Sequence, residues 1–209
     1  MVMDLSPEEI LSGLIAIAND WRLLAVLWHG YFLIFVLTLV SGVRPTRRVA
    51  GFFLALPIAS VSVLAWINGN PFNGASFALI TVALGAIAAG WSRLRVKVAA
   101  IQLAVPGVLL ILFGWIYPHF VEGARPFEYL YAAPTGLIPC PTLSIVIGFT
   151  LVLGGLGSRS WCLVLAAAGL FYGVFGAVRL GVMIDMVLIL GAFATAYAAF
   201  SPIGPHRFD

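Results

Sequence analysis

Long apolar runs separated by short polar segments dominate the pattern of the chain. Seven runs approach the roughly 20 residues that a helix needs to cross a hydrocarbon core of about 30 Å. They cover residues 23–40, 49–67, 75–90, 96–117, 142–157, 161–178 and 182–200. They lack the short alternating segments of a membrane β-barrel, and lipid offers no partner to an open backbone. The pattern predicts an all-α, polytopic membrane bundle of about seven transmembrane helices, with residues 1–209 forming one domain.

Composition supports the same class of protein. Of the 209 residues, 62% are hydrophobic and 9% are charged. In a soluble globular chain, about a quarter of the residues are charged and under half are apolar. The lipid bilayer is therefore the expected environment. The net charge of +3 sits in the loops between runs, so we expect no nucleic-acid partner.

The distribution of basic residues between loops predicts the orientation of the helices. The second loop, residues 68–74, has no charge, and the fourth has one Arg beside two Glu. The first, third and fifth loops hold seven basic residues, namely Arg44, Arg47, Arg48, Arg93, Arg95, Lys97 and Arg159. By the positive-inside rule these three loops are cytoplasmic. The N-terminus is then outside and, with seven spans, the C-terminus is cytoplasmic.

The first twenty residues predict a short helix before the first span. Ser6 is suited to the N-cap, Pro7 to the first helical position and Glu9 to the third, which is the pattern of a capping box. Apolar residues follow at helical spacing, so we interpret residues 1–20 as an amphipathic helix on the outer surface. A helix packed against the protein itself fits the pattern equally well. The absence of a basic segment here argues against a cleavable signal peptide.

A weak internal repeat relates two of the spans. Shifting the chain by 49 residues aligns Pro57 with Pro106 and Trp66 with Trp115. This similarity suggests a duplicated helical hairpin, and two independent positions of proline remain the alternative. In either case Pro57 and Pro106 are expected to kink their helices, because proline removes an N–H and frees a carbonyl.

The fourth loop, residues 118–141, is too apolar for a solvated loop and too broken for a span. Pro134, Gly136, Pro139 and Pro141 are expected to shape it as a re-entrant or interfacial segment. Cys140 is predicted to be a non-helical N-cap, with Pro141 opening the next helix. A helix N-terminus favours a thiolate, so a reactive Cys140 and an inert one in a structural turn both remain open.

Several ionisable residues fall on the same side as Cys140. His29, His119, Glu128 and Asp185 are all predicted in the outer half of the protein. Ionisable groups in membrane spans are functional candidates because inserting them is costly. We therefore predict that these four residues and Cys140 line an outward-facing vestibule that binds an ion or a small solute. The alternative is a set of interfacial residues that pair with one another, such as Arg179 with Asp185.

Cofactor motifs are scarce in the sequence. Cys140 with His29 or His119 would suit a thiophilic metal ion, but no local metal-binding spacing occurs, so the metal question stays open. The single lysine, Lys97, lies in a loop and excludes a retinal Schiff base. The glycine-rich stretch at 154–158 has no phosphate-binding lysine, so no nucleotide is expected.

The box Pro139-Cys140-Pro141-Thr142 and the preceding Ala133-Pro134-Thr135 resemble motifs of a bacterial family of small multi-pass membrane proteins classed as a domain of unknown function. The resemblance extends more faintly to Asn70-Pro71 and to residues 181–185. Residues 136–138 depart from the Phe-Gly type of spacer in that family. The resemblance implies a multi-pass protein of the bacterial cytoplasmic (inner) membrane, and it implies no particular activity.

Three classes of function follow from these observations. The leading hypothesis is a small transporter or channel with an outward-facing vestibule. The alternative is a non-transporting membrane subunit or sensor that binds a partner through residues 118–141. A membrane enzyme with Cys140 as nucleophile is the least favoured, since no general base lies at a motif spacing. The sequence leaves open whether the chain forms a homo-oligomer or joins a membrane partner.

Overall fold

The computed structural model describes residues 6–123 and 125–201, and over these residues the chain is helical and has no β-strand. Each of the seven apolar runs coincides with a helix, as predicted. The helices are α1 (Pro7–Asp20), α2 (Arg22–Val40), α3 (Arg47–Ile67), α4 (Pro71–Ala89), α5 (Ile101–Ile116), α6 (Tyr129–Ala132), α7 (Pro139–Val152), α8 (Arg159–Val174) and α9 (Met186–Phe200). Short 3₁₀ turns lie at Pro126–Glu128, Gly154–Gly157 and Met183–Asp185, and a π-helical turn at Phe175–Arg179.

Five helical segments of the described chain are long and apolar enough to cross a membrane. They are α2, α3, α4 and the extended forms of α8 and α9, Arg159–Arg179 and Met183–Phe200. The fourth and fifth apolar runs are shorter as helices, because extended backbone precedes α5 and a glycine-rich turn follows α7. The fold is therefore compatible with an integral membrane protein.

Helix α7 forms the centre of the bundle, and nearly all its residues are buried. It packs most closely against α5, and glycines allow the two backbones to meet. A Cβ added to Gly107 would lie 2.7 Å from the Gly148 carbonyl oxygen, and one added to Gly114 would lie 2.6 Å from that of Pro141. Helices α8 and α9 make a second close pair and α3 and α4 a third.

Both helix-interior prolines lie where the sequence indicated, Pro57 in α3 and Pro106 in α5. The residue four positions before Pro57 is Phe53, whose carbonyl loses its helical donor. The Tyr31 hydroxyl of α2 donates to this carbonyl at 2.9 Å. The Tyr31 and Phe53 rings also stack with centroids 3.8 Å apart, so the proline supplies an acceptor that joins α2 to α3.

The duplication suggested by the 49-residue shift would make α3 and α5 equivalent. Helix α3 packs mainly on α4, whereas α5 packs mainly on α7. The two helices thus have different neighbours, and the duplication remains a hypothesis.

The three basic loops meet at one end of the bundle, which we call the basic end. The first and third loops are joined by an isolated antiparallel bridge between Thr46 and Arg95. The fifth loop is joined to the first by Arg47, whose guanidinium donates to the Leu156 carbonyl at 2.6 Å and to the Gly157 carbonyl at 2.5 Å. The predicted clustering of these loops on one side is therefore present in the fold.

The opposite end carries α1 and the segment 118–138, and we call it the α1 end. The predicted capping box is present, since the Ser6 hydroxyl accepts from the Glu9 amide and the Glu9 carboxylate accepts from the Ser6 amide. One face of α1 is buried through Leu14, Ile17 and Ala18. Helix α1 therefore packs against the bundle with its apolar face.

Candidate functional site

The segment that precedes α7 is an irregular chain buried in the protein. Residues 132–139 are all buried, so their polar groups need internal partners. The Thr135 hydroxyl donates to the Gly114 carbonyl, and the Gly136 amide donates to the Thr142 hydroxyl at 2.8 Å. The Thr142 hydroxyl donates in turn to the Ile138 carbonyl at 2.7 Å. The two threonines of the motif thus hold the turn that positions the start of α7.

Gly136 is needed at this turn for two reasons. Its φ is +79°, a conformation that residues with a Cβ rarely adopt. A Cβ at this position would also collide with the indole ring of Trp28 in α2. The turn is therefore fixed against α2 as well as α5 and α7.

The prediction that Cys140 is a non-helical N-cap is wrong. The N-cap is Ile138, Pro139 is the first residue of α7, and Cys140 and Pro141 follow inside the first turn. The amides of a helix's first turn have no intrahelical acceptor, so prolines at these positions sacrifice no hydrogen bond. Two prolines can therefore flank a helical cysteine. Cys140 is half-buried and unpaired with any cysteine.

Cys140 lies beside Asp185, which is 1% exposed. The Tyr117 hydroxyl donates to Asp185 Oδ1 at 2.7 Å. The Cys140 side chain is a second neighbour of the same carboxyl group, and both residues line one cavity. Gly176, in the π-helical turn, leaves room for this group, since a Cβ there would collide with the Asp185 carboxylate. The cluster therefore joins α7 to the ends of α5 and α8.

Cys140 and Asp185 line a cavity, and two further polar side chains line it as well. The Tyr172 hydroxyl of α8 donates to the Asn73 Oδ1 of α4 at 3.1 Å, and both residues are buried. Both Tyr172 and Asn73 line the cavity together with Cys140 and Asp185.

The cavity is small and covered by α1. Its volume is about 20 Å³, close to that of a single water molecule by the same measure. Its apolar wall is completed by Ile10 and Leu14 of α1 and by Phe120 of the segment that follows α5. In this conformation the polar groups are closed off from a larger solute.

Helix α1 is attached to the bundle beside the cavity. The Asn19 amide group donates to the Phe120 carbonyl at 2.9 Å, and its oxygen accepts from the Glu122 amide at 3.0 Å. Arg22 donates to the Glu122 carbonyl at 2.5 Å. Trp21 is the break between α1 and α2. The cover is thus held at its C-terminal end by polar bonds and along its length by apolar contacts.

His29 lies apart from this cavity. It is buried, with Nδ1 2.8 Å from the Ala25 carbonyl and Nε2 2.9 Å from the Trp115 carbonyl. The Trp115 carbonyl is in the last turn of α5, where helical donors are missing. His29 therefore links α2 to the end of α5, and both its nitrogens already face acceptors.

His119 and Glu128 are outside the cavity lining as well. His119 lies on the surface in a shallow groove with Ile15, Glu122 and Tyr129, and partial burial lowers its pKa from the usual value. Its ring packs edge-on against Phe120, with centroids 4.3 Å apart. Glu128 is half-buried at the end of the 3₁₀ turn. Of the five predicted vestibule residues, the structure brings Cys140 and Asp185 together.

The hydrogen bonds of Asp185 also bear on the pairing with Arg179 considered from the sequence. Asp185 accepts from Tyr117, whereas Arg179 is exposed at the end of the π-helical turn. The carboxyl group thus has neutral neighbours. Among the described residues, no group of three or more His, Cys, Asp or Glu side chains is arranged to hold a metal ion.

Sequence reasoning missed Tyr117, Tyr172 and Asn73. Tyr117 and Tyr172 stand within apolar runs, where a tyrosine is readily interpreted as packing. Asn73 falls within residues 68–74, which the sequence pattern assigned to an uncharged loop, whereas the structure places it in the first turn of α4. A buried Tyr or Asn needs a hydrogen-bond partner, and that requirement was the available signal. Comparison of the chain with family models, with curated proteins and with solved structures gives no match.

Proposed function

We propose that this protein is a small membrane transporter or channel, and that Asp185 is the group through which a proton or a small cation is carried. The observation that carries the proposal is the burial of the Asp185 carboxyl group beside Tyr117 and Cys140, at the end of an apolar helix. Ionisable side chains in this position are costly and mark ion or proton pathways.

The chemistry of the site supports a cationic occupant. An ionised carboxylate buried without a cation is strongly unfavourable. The neighbours of Asp185 are a hydroxyl and a thiol, and neither supplies a positive charge. Asp185 therefore needs a proton or a small cation to be stable in the closed conformation. Exchange of that occupant with the outside is the elementary step of the proposed transport.

The cover over the cavity supports a gating step. The cavity of about 20 Å³ admits one water-sized species, so exchange requires that α1 separates from the bundle. Ile10 and Leu14 are the contacts that would open, while the Asn19 and Arg22 bonds hold the helix near its junction with α2. Trp21 is then the hinge.

The orientation of the protein is part of this proposal. We propose seven membrane crossings, with the α1 end outside and the basic end in the cytoplasm of a bacterial inner membrane. The gathering of the basic loops supports this orientation. Cys140 should then react slowly with a membrane-impermeant maleimide added to intact cells, and Cys162, buried near the basic end, should not. Labelling of Cys162 without labelling of Cys140 would indicate the opposite orientation in the membrane.

The decisive experiment compares two Asp-to-Asn substitutions in proteoliposomes that contain a pH-sensitive dye or, in a parallel preparation, a dye sensitive to alkali cations. Asp185→Asn keeps the acceptor for Tyr117 but cannot exchange a proton. We expect it to reduce proton or alkali-cation flux by about 100-fold or more, the usual scale for loss of a proton-transfer group. Asp20→Asn changes an exposed carboxyl group at the same end and should leave flux intact. Equal flux in wild type and Asp185→Asn would refute the proposal.

A non-transporting subunit or sensor is the second candidate, and one observation favours it. The tip of the 118–141 segment exposes Phe127, Leu130 and Tyr131, each by about half of its surface. Exposed aromatic residues in a cluster suit a partner interface. Wild-type protein that conducts neither protons nor alkali cations above empty liposomes would favour this alternative over transport.

A further inference from the structure

The basic end presents a charged surface that the proposed transport does not use. It gathers seven Lys and Arg residues from three loops that are far apart in sequence, namely Arg44, Arg47, Arg48, Arg93, Arg95, Lys97 and Arg159. The described acidic residues lie elsewhere, on α1, in the 118–128 segment and at Asp185. Within the part of the chain that the structure describes, the acidic side chains thus stand away from the exposed Arg48 and Arg93.

This surface is held in a fixed arrangement. The Arg47 amide donates to the Leu94 carbonyl at 2.8 Å, and the Val96 amide donates to the Pro45 carbonyl at 2.9 Å. The Arg47 side chain holds the glycine-rich turn before Arg159. The loops are thus assembled by bonds of Arg47 and the backbone, and Arg48, Arg93 and Arg159 stand exposed around them.

Exposed apolar side chains lie directly beside these cations. Leu94 stands between Arg93 and Arg95 and is 51% exposed, and Phe52 is one turn from Arg48 and is 45% exposed. The Arg48 guanidinium lies 5.9 Å from the centroid of the Phe52 ring. A cation next to an apolar flank matches a phosphate that is joined to an acyl chain. The same pairing does not suit a free phosphate, which brings no apolar group.

From this juxtaposition we propose that the basic end binds the phosphate headgroups of anionic phospholipids, through Arg48 and Arg93 in particular. The acyl chains of the bound lipid pack on Phe52 and Leu94. The interaction is electrostatic, so it weakens as salt screens the charges. It anchors the basic end in the leaflet that is rich in anionic lipid.

The test uses the full chain in detergent micelles titrated with phosphatidylglycerol or phosphatidylcholine, with bound lipid counted by native mass spectrometry. Each juxtamembrane cation contributes about a fivefold preference for anionic lipid. The Arg48→Gln, Arg93→Gln double variant should therefore lose roughly 25-fold in phosphatidylglycerol affinity. Its phosphatidylcholine affinity should stay unchanged.

A matched control exists at the opposite end. Arg125 and Arg179 are also exposed, and Arg125 lies 6.0 Å from the Phe127 ring centroid, much as Arg48 lies by Phe52. Arg125 differs in standing between Glu122 and Glu128 in the chain, so its segment carries no excess of positive charge. Arg125→Gln, Arg179→Gln should retain the preference of wild type, and so should Arg48→Lys, Arg93→Lys. If the Arg48→Gln, Arg93→Gln variant does not fold, the salt dependence of wild type provides the readout. Wild type should then lose its preference for phosphatidylglycerol in about 0.5 M NaCl.

Three results would overturn the proposal. The first is equal binding of the two lipids by wild type. The second is an equal loss of affinity in the two Gln double variants. The third is a wild-type preference that persists unchanged at high salt.

Discussion

The two ends of this bundle are stabilised in different ways. At the basic end, backbone bonds and the Arg47 guanidinium join three loops, and the exposed charges face outward. At the α1 end, uncharged hydroxyl, thiol and amide groups surround the buried Asp185 carboxyl, beneath a helix that covers them. The comparison indicates that the basic end is a fixed assembly of loops. The α1 end is a closed site whose cover is held by polar bonds at one end of the helix and by apolar contacts along its length.

The largest expected loss of stability is at the turn that positions Cys140. Gly136→Ala adds a Cβ at a positive φ and against Trp28, and strain and overpacking together should lower the free energy of unfolding by about 3 kcal/mol. Gly123 also has a positive φ but open space around it, so Gly123→Ala should cost about 1 kcal/mol. Thermal unfolding in detergent, followed by tryptophan fluorescence, measures both. Equal midpoints would show that the contact with Trp28 is unimportant.

The next largest effect is expected at the basic end. Arg47→Ala removes two bonds to carbonyls and the contact with the Trp91 ring, whose centroid is 5.3 Å from the guanidinium carbon. We expect a loss of about 2 kcal/mol, since hydrogen bonds from a charged group are the stronger kind. Arg48→Ala, at an exposed neighbour, should change stability by under about 0.5 kcal/mol. The same unfolding assay compares the two variants. An equal loss of stability in Arg48→Ala would show that the Arg47 bonds are not what holds the three loops together.

A smaller effect is expected from the hydrogen bond to Asp185. Tyr117→Phe leaves one carboxyl oxygen without its hydroxyl donor and should cost about 1 to 2 kcal/mol. Tyr131→Phe removes a hydroxyl from an exposed residue at the same end and should be close to neutral. If Tyr117→Phe unfolds at the wild-type midpoint, the bond contributes nothing to the closed site.

The smallest effect is the pH dependence that His119 adds at the α1 end. Partial burial lowers the pKa of His119 from its usual value near 6.5. The unfolded chain therefore takes up the proton first as pH falls. The contribution of neutral His119 is full above about pH 6.5 and declines as pH falls below it, until the folded state is also protonated. In His119→Gln, the midpoint of thermal unfolding should change less with pH between about pH 5 and 7 than it does in wild type. An unchanged slope would assign the pH dependence to another group.

Local patterns were sufficient to predict several features of the fold. The seven apolar runs gave the helices, Ser6 and Glu9 gave the capping box, and the Lys and Arg positions gave the grouping of three loops. These features depend on neighbours within a few residues or on composition. Cys140 was misplaced because the rule that disfavours a helical residue before proline is relaxed in the first turn.

The candidate site was only partly predictable for a different reason. Asp185 was singled out because ionisable groups are scarce in apolar segments, and Cys140 because prolines flank it at the start of a helix. Tyr117, Tyr172 and Asn73 were not, because each looks ordinary in its own segment. His29 was grouped with them by depth along the helix, yet it faces the end of α5. Depth can be counted in residues, whereas the direction of a side chain depends on how helices pack.

The sequence by itself determined a helical protein whose apolar helices fit a lipid bilayer, with its basic loops on one side, because hydrophobic length and loop charge are local quantities. The tertiary structure decided which polar groups meet. Asp185, Cys140 and Tyr117 come from three segments separated by tens of residues, and they meet because glycines let α5 approach α7 and leave room beside α8. That convergence, and the closure of the site by α1, depends on packing between distant segments, which no local pattern encodes.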